Sequence, residues 1–589
     1  MMMNWLLILL ILHVRISRGT SAQDFQTAFV SMRDGVKLAV DYFTDLKTER
    51  LPVILELTPY GRGPERINYR YEAPYWYESG YLFVIGDCRG TGDSEGEMAF
   101  FSHEGEDGYD LIQWIASQPW SNGRVGMRGS SYTGTNQWFI AKEQSPYLSC
   151  ITPSATIAQP LQDIPYLNGA FAVGWAINWI NNSLNIPKVP VNESHPDPSA
   201  WLSHRPLRTL DQYATGRRYS LYRTFLDHPT YDDYWRSFDF TADDFARITI
   251  PALAFTGWFD GTMSGTIWRF QQVRRYSPRH ADQFLIIGPY THMNAPDGGY
   301  DFQTGKPMKT VGDLPVPDNA LLPGLNMTRE FFNWCLKDGP RPQWNPARIY
   351  VTGSDRWITR NVFPPPEAYE RSLFLTSKGH ANTLQGDGRL QWERPSTNTT
   401  DSYRYDPRNP VRSDLLTNKS ITLPIDINPY LNREDILVYT TDPLNSSVTV
   451  IGDVTVELVV SSTAPDTDFV IELMDVMTDG RSIKFGAKSA AQLRTRYRDG
   501  LDRQVLMSPN QTYLIRIDLH AIGHTFLPNH RIRLAVTSSF FPWISANPNT
   551  GASIADDIDE PIVAYQTIYH RRNHLSRIRM MVVNNPIFD

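Results

Sequence analysis

The sequence predicts an α/β-hydrolase domain with a helical cap insertion, followed by a C-terminal antiparallel β-sandwich. Three observations lead to this fold class. A serine stands between small residues at a strand-to-helix turn, Gly129 to Gly134. Two later apolar runs end on an acid and on a histidine, in that order. Beyond about residue 345 the chain alternates polar and apolar residues, which is typical of half-buried strands.

The serine turn predicts Ser131 as a nucleophile. The tight turn that presents the nucleophile of an α/β hydrolase tolerates little side-chain bulk two positions either side of the serine. Ser131 has Gly129 and Thr133 at these positions, whereas Ser130 would place an arginine and a tyrosine there. The sequence therefore favours Ser131 over Ser130, and it makes the backbone N–H of Tyr132 a donor to the oxyanion.

An acid and a histidine complete the expected triad. Residues 251–259 read as a buried strand that ends at Asp260, and residues 283–291 read as another that ends at His292. The order Ser131, Asp260, His292 is the chain order of the α/β-hydrolase triad. Each residue alone has an ordinary structural interpretation, since an aspartate before a glycine is usually a turn former.

The first half of the hydrolase domain is predicted over residues 23–154. Residues 37–42 look antiparallel, and four short apolar runs look like parallel strands buried on both faces: 53–57, 81–85, 124–127 and 148–152. Helices are expected over 107–118 and 135–143. The glycine-rich stretch Gly90 to Gly96 lacks the Lys-Ser/Thr ending of a phosphate loop, so it is predicted to be structural.

A helical cap is predicted over residues 155–245, between the two halves of the hydrolase domain. Phe171, Trp175 and Trp179 are spaced four residues apart, as on one helical face, and are interpreted as cap core rather than as a substrate wall. The second half of the hydrolase domain is predicted over 246–344, with a last helix at 329–337. A β-sandwich is predicted over 345–589, with strands at 453–460, 514–519, 531–536 and 577–582.

Composition excludes several classes of function. A chain of 589 residues with 41% hydrophobic content is globular and long enough for several domains. A net charge of -7 leaves no basic field for nucleic acid. Hydrolysis by the triad needs no metal or organic cofactor, and none is expected. The cysteines at positions 88, 150 and 335 and the scattered histidines also have no metal-ligand spacing. Three cysteines allow at most one disulfide.

The N-terminus predicts secretion. Residues 5–14 form an apolar core too short to span a bilayer comfortably, and small residues at Thr20 and Ala22 offer a cleavage site, so residues 1–22 are predicted to be a signal peptide. No other segment is expected to insert stably in a membrane. Seven sequons predict a secreted glycoprotein: Asn181, Asn192, Asn326, Asn398, Asn418, Asn445 and Asn510.

Several motifs together carry a family resemblance. They are residues 32–39, Thr58-Pro59-Tyr60, residues 87–96, Gly129 to Gly134, residues 257–261, residues 288–292, residues 466–469 and residues 526–532. The chain resembles the cocaine esterase and X-Pro dipeptidyl-peptidase family of serine hydrolases, and the likeness is closest to the bacterial cocaine esterases. The resemblance implies that the Tyr60 hydroxyl is the second oxyanion donor, and that the C-terminal sandwich is a jelly roll.

The expected activity is cleavage of carboxylic esters, with acyl or aroyl groups, through an acyl-enzyme. An amidase or aminoacyl or dipeptidyl peptidase of the same family is the alternative, so the expected partner is a small ester or amide. A catalytically inactive binding protein that uses the sandwich is a further alternative. Family members that hydrolyse α-amino acid esters place acidic residues just after the catalytic aspartate, whereas Gly261 to Ser264 contain none.

Overall fold

The computed structural model describes the chain from Phe25 to Asp589 with short gaps. The described residues are 25–43, 50–62, 72–157, 159, 161–187, 191–301, 304–396, 398–414, 423–485, 490–571, 574–584, 586 and 588–589. The predicted signal peptide and the sequon Asn418 lie outside them.

Strands and helices are numbered in chain order. The strands are β1 (Phe25–Ser31), β2 (Lys37–Phe43), β3 (Leu51–Thr58), β4 (Leu82–Asp87), β5 (Ser121–Ser130), β6 (Leu148–Ser154), β7 (Tyr166–Leu167), β8 (Ala170–Phe171), β9 (Ala252–Phe259), β10 (Gln283–Thr291), β11 (Thr310–Val311), β12 (Leu314–Pro315), β13 (Ala347–Val351), β14 (Arg356–Arg360), β15 (Tyr369–Thr376), β16 (Arg389–Gln391), β17 (Thr399–Tyr405), β18 (Leu437–Thr440), β19 (Val448–Ser462), β20 (Asp468–Val476), β21 (Ser482–Lys484), β22 (Ala490–Arg494), β23 (Tyr513–Phe526), β24 (Arg531–Thr537), β25 (Ala564–Arg571), β26 (His574–Leu575) and β27 (Arg577–Val583). The α-helices are α1 (Ala73–Glu78), α2 (Glu104–Ser117), α3 (Tyr132–Lys142), α4 (Val173–Asn178), α5 (Pro198–Trp201), α6 (Leu210–Thr215), α7 (Ser220–Asp227), α8 (Asp233–Arg236), α9 (Ala242–Arg247), α10 (Met263–Tyr276) and α11 (Gly324–Lys337).

A mixed sheet organises the N-terminal half of the chain. Within the described residues its order is β1-β2-β4-β3-β5-β6-β9-β10-β13-β14. The strands from β4 to β13 in this order are parallel, while β1, β2 and β14 pair antiparallel at the two edges. Strands β4 and β9 are buried along their whole length, because helices cover both faces of the sheet. This is an α/β-hydrolase core.

Helices on the two faces produce two separate apolar cores. Helices α2 and α3 pack together on one face, where Leu111, Val125 and Met127 share a core. Helix α11 packs on the other face against β5 and β6. Gly126 allows this close approach, since a Cβ at that position would lie 3.0 Å from both Phe332 and Leu336 of α11.

The insertion between β6 and β9 is largely helical, and it contains the β7–β8 hairpin and helices α4 to α9. One expectation for this segment is wrong in detail. Phe171 does not share a helical face with Trp175 and Trp179, because it ends β8 and packs against Tyr166 of β7 instead. Trp175 belongs to α4, and Trp179 begins a short π-helix that continues α4.

The C-terminal part of the chain is a β-domain. Its described strands form one hydrogen-bonded network of thirteen, and their inward side chains form a third apolar core that includes Leu458, Ile471 and Leu534. Strands β13 and β14 pair with the N-terminal sheet through β10, although the division predicted at 344/345 assigns them to the C-terminal domain. No helix among the described residues is both long and apolar enough to cross a membrane.

Candidate active site

Ser131 lies at the sharp turn between β5 and α3. Its backbone has φ 65° and ψ -121°, a strained conformation for a residue with a Cβ, and its N–H donates to the Ser154 carbonyl at 3.0 Å. Gly129 is required by packing, since a Cβ there would lie 2.4 Å from Oγ1 of Thr133. The physical basis of the small-residue pattern is thus the contact between positions 129 and 133.

Ser130 has different surroundings. Its N–H donates to Thr133 Oγ1 at 2.8 Å, and its own Oγ is buried with no hydrogen-bond partner in the described part of the chain. Ser131, by contrast, lines a cavity that His292 also lines. The geometry therefore favours Ser131 over its neighbour as the residue that meets a substrate.

Asp260 and His292 form a hydrogen-bonded pair directly after β9 and β10. His292 Nδ1 lies 2.7 Å from Asp260 Oδ1. Because a carboxylate only accepts hydrogen bonds, Nδ1 carries the ring proton and Nε2 is left as the base. Asp260 is 1% exposed, whereas 35% of the His292 side chain is accessible. The base faces the cavity, and its orienting acid is sealed from water.

Two threonines hold the Asp260 carboxylate in place. Thr262 donates its N–H to Oδ1 at 2.9 Å, and its hydroxyl oxygen lies 3.0 Å from the same atom. Thr256 Oγ1 donates to Oδ2 at 2.8 Å. Burial raises the pKa of Asp260, but the charge of His292 and these hydrogen bonds outweigh it, so the net shift is downward and the carboxylate stays ionised.

The pKa of His292 is raised above its ordinary value of about 6.5. Burial of the ring lowers this pKa, but the charge and the hydrogen bond of Asp260 raise it by more. Asp163, a fully buried residue of the insertion, adds a smaller upward contribution. The imidazolium that forms when His292 accepts a proton is therefore stabilised.

Tyr60 follows β3 and points its hydroxyl at the serine. Tyr60 Oη lies 3.5 Å from Ser131 Oγ and 3.5 Å from Nε1 of Trp179. Burial raises the pKa of Tyr60, and its hydrogen bonds with Ser131, Trp179 and the Tyr132 N–H lower it by less, so the hydroxyl stays protonated near neutral pH. The two expected oxyanion donors, the Tyr60 hydroxyl and the Tyr132 N–H, thus converge beside Ser131.

The Tyr132 side chain has a structural role. Its hydroxyl donates to Glu104 and accepts from the Phe101 N–H at 3.1 Å, and its ring stacks on Phe101. Burial raises the pKa of Glu104 to about 7, although the Tyr132 hydroxyl opposes that shift. These contacts fix the first turn of α3, from which the Tyr132 N–H points to the site.

The cavity beside Ser131 has a volume of about 230 Å³ and is built by three parts of the chain. The hydrolase core contributes the reactive groups. The insertion contributes apolar side chains: Ile157, Ile164, Leu167, Trp175 and Trp179. Trp175 and Trp179 stack at 5.0 Å between ring centroids and pack in the apolar core, as expected, but they also form one wall of the cavity.

The C-terminal domain supplies the remaining wall, which the sequence did not indicate. Gln492, Asp518, His520 and Trp543 line the cavity. Hydrogen bonds anchor this domain to the insertion, for example from the Gln492 side chain to the Leu167 carbonyl at 3.1 Å and from the Gly174 N–H to the Pro542 carbonyl at 2.8 Å. No local motif marks these residues, because only the packing of the domains brings them to the cavity.

The sequence does carry a signal for the contact between Asp260 and Thr262. The aspartate of an Asp-Gly turn commonly accepts a hydrogen bond from the backbone N–H two residues later.

The remaining predicted positions can also be located. Five sequon asparagines are exposed: Asn192, Asn326, Asn398, Asn445 and Asn510. Asn181 is half-buried, with its Oδ1 accepting from Tyr219 at 2.6 Å and its Nδ2 donating to Asn182 at 2.7 Å. Among the described residues no group of three or more His, Cys, Asp or Glu side chains is arranged to hold a metal ion.

Comparison with known proteins places this geometry in a family. Residues 34–294 match the model of the X-Pro dipeptidyl-peptidase (S15 family), and residues 343–579 match that of the X-Pro dipeptidyl-peptidase C-terminal non-catalytic domain. The cocaine esterase of Rhodococcus sp. (strain MB1 Bresler) is 32% identical over 583 residues, which cover 94% of this chain and 97% of that protein. The chain belongs to the cocaine esterase and X-Pro dipeptidyl-peptidase family.

Similarity to other proteins also extends over nearly the whole chain. A putative serine esterase of Mycobacterium bovis is 24% identical over 95% of both chains. Two solved structures share the fold. An aminopeptidase from a marine sediment archaeon (Thaumarchaeota) has a TM-score of 0.83 at 23% identity, covering 95% of this chain and 97% of its own. An α-amino acid ester hydrolase has a TM-score of 0.80 at 22% identity, covering 97% and 100%. The family resemblance in the sequence is confirmed, and the chain is a serine hydrolase of this family.

Proposed function

We propose that this hydrolase cleaves carboxylic esters with uncharged acyl or aroyl groups through an acyl-enzyme formed on Ser131. The observation that carries the proposal is the convergence of four groups on one cavity: Ser131, the Asp260–His292 pair, the Tyr60 hydroxyl and the Tyr132 N–H. This set supplies a nucleophile, an oriented base and two oxyanion donors, which are the parts that acyl transfer to serine requires.

The proposed reaction has two halves. His292 Nε2 takes the Ser131 proton as Oγ attacks the carbonyl carbon, and the Tyr60 hydroxyl and the Tyr132 N–H stabilise the negative oxygen. His292 then protonates the leaving alcohol, and the acyl group remains on Ser131. Water attacks this ester with His292 again as the base, which releases the acid and restores the serine. Asp260 holds the imidazole orientation throughout.

The walls of the cavity support uncharged substrates. The proposed cap, residues 155–245, presents apolar and aromatic side chains to the cavity. The two residues after Asp260, Gly261 and Thr262, also line the cavity, and neither carries a carboxylate. A buried ammonium group without a partner carries a large desolvation penalty. Asp518 lines the cavity from the C-terminal domain, but its carboxylate is already engaged, since it accepts from the His520 N–H at 2.7 Å and lies 3.6 Å from His520 Nδ1. Esters with neutral acyl groups therefore fit this cavity better than aminoacyl esters do.

Turnover of matched esters and amides tests the proposal. The purified protein is assayed with p-nitrophenyl esters of increasing acyl length, with phenylacetyl and benzoyl esters, and with the corresponding anilides. We expect ester hydrolysis with a burst of p-nitrophenol equal to the concentration of active sites, and little release from the anilides. Anilide turnover equal to that of the matched esters would contradict an esterase.

A peptidase is the alternative within the same family, and both the family model's own description and an aminopeptidase of the same fold motivate it. X-Pro p-nitroanilides decide between the two, because an esterase leaves them intact. A sandwich-based binding protein without catalysis would neither hydrolyse any of these compounds nor react with a fluorophosphonate probe.

We further propose that the chain is a secreted glycoprotein whose first 22 residues are a signal peptide and whose C-terminal domain is a jelly roll. The exposed sequons support glycosylation, and Asn181 is the least accessible of the six described. Expression in eukaryotic cells tests this. The protein recovered from the medium should begin at Gln23 and lose mass on treatment with a peptide N-glycosidase. Retention in the cytosol with an intact N-terminus would contradict it.

A further inference from the structure

The structure brings two of the three cysteines together on the face of the sheet opposite α2 and α3. Cys150 is fully buried on β6, and Cys335 is half-buried on α11. Both belong to the apolar core between this helix and the sheet. Each is a free thiol in the structure, as is the buried Cys88.

Helix packing fixes the position of Cys335 over β6. Gly126 of β5 is the register partner of Cys150, and a Cβ at Gly126 would lie 3.0 Å from both Phe332 and Leu336. Cys335 stands three residues after Phe332 and packs against the same apolar core, so it borders the face of α11 that covers the sheet. The helix therefore carries the Cys335 side chain to the strand next to β5, where Cys150 lies.

The electrostatics of the two thiols agree with this contact. Burial raises the pKa of the Cys150 thiol well above its ordinary value, and a hydrogen bond with Cys335 raises it further. Tyr81, whose hydroxyl donates to Asn333 of α11 at 2.7 Å, lies beside both cysteines and is also affected by them. The two thiols thus interact in the folded chain, in agreement with the packing of α11 on β6.

We propose that Cys150 and Cys335 are a disulfide pair that fastens α11 to the hydrolase sheet when the folding chain meets a low-molecular-weight disulfide such as oxidised glutathione. The half-buried Cys335 reacts first. Its thiolate attacks the glutathione disulfide, so that a mixed disulfide forms on Cys335 and one glutathione leaves as a thiol. Cys150 then attacks the Cys335 sulfur, which forms the bond between the two cysteines and releases the second glutathione thiol. Two protein thiols are oxidised, and one small disulfide is reduced to two thiols.

Cys88 offers a matched control within the same chain. It is 1% exposed, and it follows β4 in the core that also contains Leu111 and Val125, on the opposite face of the sheet from Cys150. Its thiol cannot reach either of the other two without unfolding. Cys88 should therefore remain free under every folded condition.

Disulfide mapping tests the proposal. The full chain is unfolded, refolded in a buffer of reduced and oxidised glutathione, alkylated without reduction, digested and analysed by mass spectrometry. Ester hydrolysis or far-UV circular dichroism confirms refolding. We expect one cross-linked peptide that joins Cys150 to Cys335, an alkylated Cys88, and the same cross-link in Cys88→Ser. Cys335→Ser and Cys150→Ser should lack it. A cross-link to Cys88, three alkylated cysteines, or glutathione retained on Cys335 with Cys150 alkylated would overturn the proposal.

Thermal melting of the wild-type protein provides a readout that needs no variant. A disulfide between residues so distant in sequence restricts the unfolded chain strongly, so the oxidised protein should melt at a temperature higher by on the order of 5 °C than the reduced protein. Cys335→Ser should melt at the same temperature in both buffers. An unchanged or lower melting temperature in the cross-linked wild type would refute the fastening role.

Discussion

The Tyr60 hydroxyl lies 3.5 Å from Ser131 Oγ, across the turn that the serine occupies. It is held there from two sides, by Nε1 of Trp179 at 3.5 Å and by the Tyr132 N–H. Because burial raises the pKa of Tyr60, the hydroxyl is a neutral donor over the working pH range. This is the arrangement that an oxyanion donor needs before substrate arrives.

Tyr60→Phe should therefore lower kcat by about a hundred- to a thousand-fold, which is the usual loss for one oxyanion donor, with a much smaller change in KM. Steady-state kinetics with a p-nitrophenyl ester measures both constants. Trp179→Phe is the matched variant, since it removes the indole N–H that donates to Tyr60 but leaves the Tyr60 hydroxyl in place, and it should reduce kcat far less, with any loss of cavity wall appearing in KM. A Tyr60→Phe enzyme with wild-type kcat would exclude this hydroxyl from the oxyanion site.

The identity of the nucleophile gives a second prediction. A fluorophosphonate adduct should map to Ser131, and Ser131→Ala should abolish labelling, because only this serine lines the cavity with His292 in the described structure. Ser130→Ala should still be labelled, since its Oγ is buried away from the cavity. Peptide mapping of the adduct distinguishes the two. Labelling that persists in Ser131→Ala would reassign the nucleophile.

These positions show how far the sequence could predict the site. Ser131, Asp260 and His292 could be placed because each follows a buried strand of a parallel sheet, and the carboxyl ends of such strands lie at one edge. The contact of Trp179 with Tyr60 could not be predicted, because the insertion folds back over the sheet by tertiary packing. Phe171 shows the same limit. Its four-residue spacing from Trp175 suggested a shared helix, but tertiary packing places Phe171 in the β7–β8 hairpin.

The C-terminal domain illustrates a second limit. Its alternating strands could be recognised from a period of two residues, but period alone does not say which loop meets another domain. Trp543 lines the cavity directly after Pro542, whose carbonyl accepts from Gly174 of the insertion. Backbone pairing of β13 with β10, and of β14 with β13, likewise places these two strands in the hydrolase sheet rather than in the β-domain.

The contribution of Trp543 to the cavity can be measured. Trp543→Ala should raise KM by about ten-fold or more for aroyl esters, since removing apolar contact area weakens binding by a few kcal/mol at most, while kcat should change less. Trp392→Ala is the control, because Trp392 contacts Arg371 in the same domain away from the cavity. Equal KM values for the two variants would remove Trp543 from the substrate wall.

The pH dependence of kcat/KM follows from the shift at His292. Only neutral His292 can accept the Ser131 proton, and its pKa lies above the ordinary value of about 6.5 because Asp260 and Asp163 outweigh burial. Activity should therefore be low below this pKa and rise with pH through a single step whose midpoint is above about 6.5.

Two variants test whether this pH step is the titration of His292. Asp260→Asn should lower the midpoint and also reduce turnover strongly, because the ring loses both its charge partner and its orientation. Asp163→Asn should lower the midpoint by less and preserve most of the activity. A wild-type midpoint below the ordinary histidine value, measured in buffers of constant ionic strength, would contradict the electrostatic assignment.

Substrate charge provides the last prediction. The cavity beside Ser131 is walled on one side by Trp175, Trp179 and Ile157, and no acidic residue follows Asp260 before α10 begins. Asp518 lines the cavity from the C-terminal domain, where it pairs with His520. A phenylacetyl ester should therefore be hydrolysed with a higher kcat/KM than the phenylglycyl ester, which differs only by a free α-amine. Asp163, the acid of the insertion whose charge acts on His292, is fully buried. Asp163→Asn should accordingly leave the preference for the phenylacetyl ester in place. A wild-type preference for the phenylglycyl ester that disappears in Asp163→Asn would instead assign Asp163 to an ammonium group of the substrate and favour the aminoacyl hydrolase.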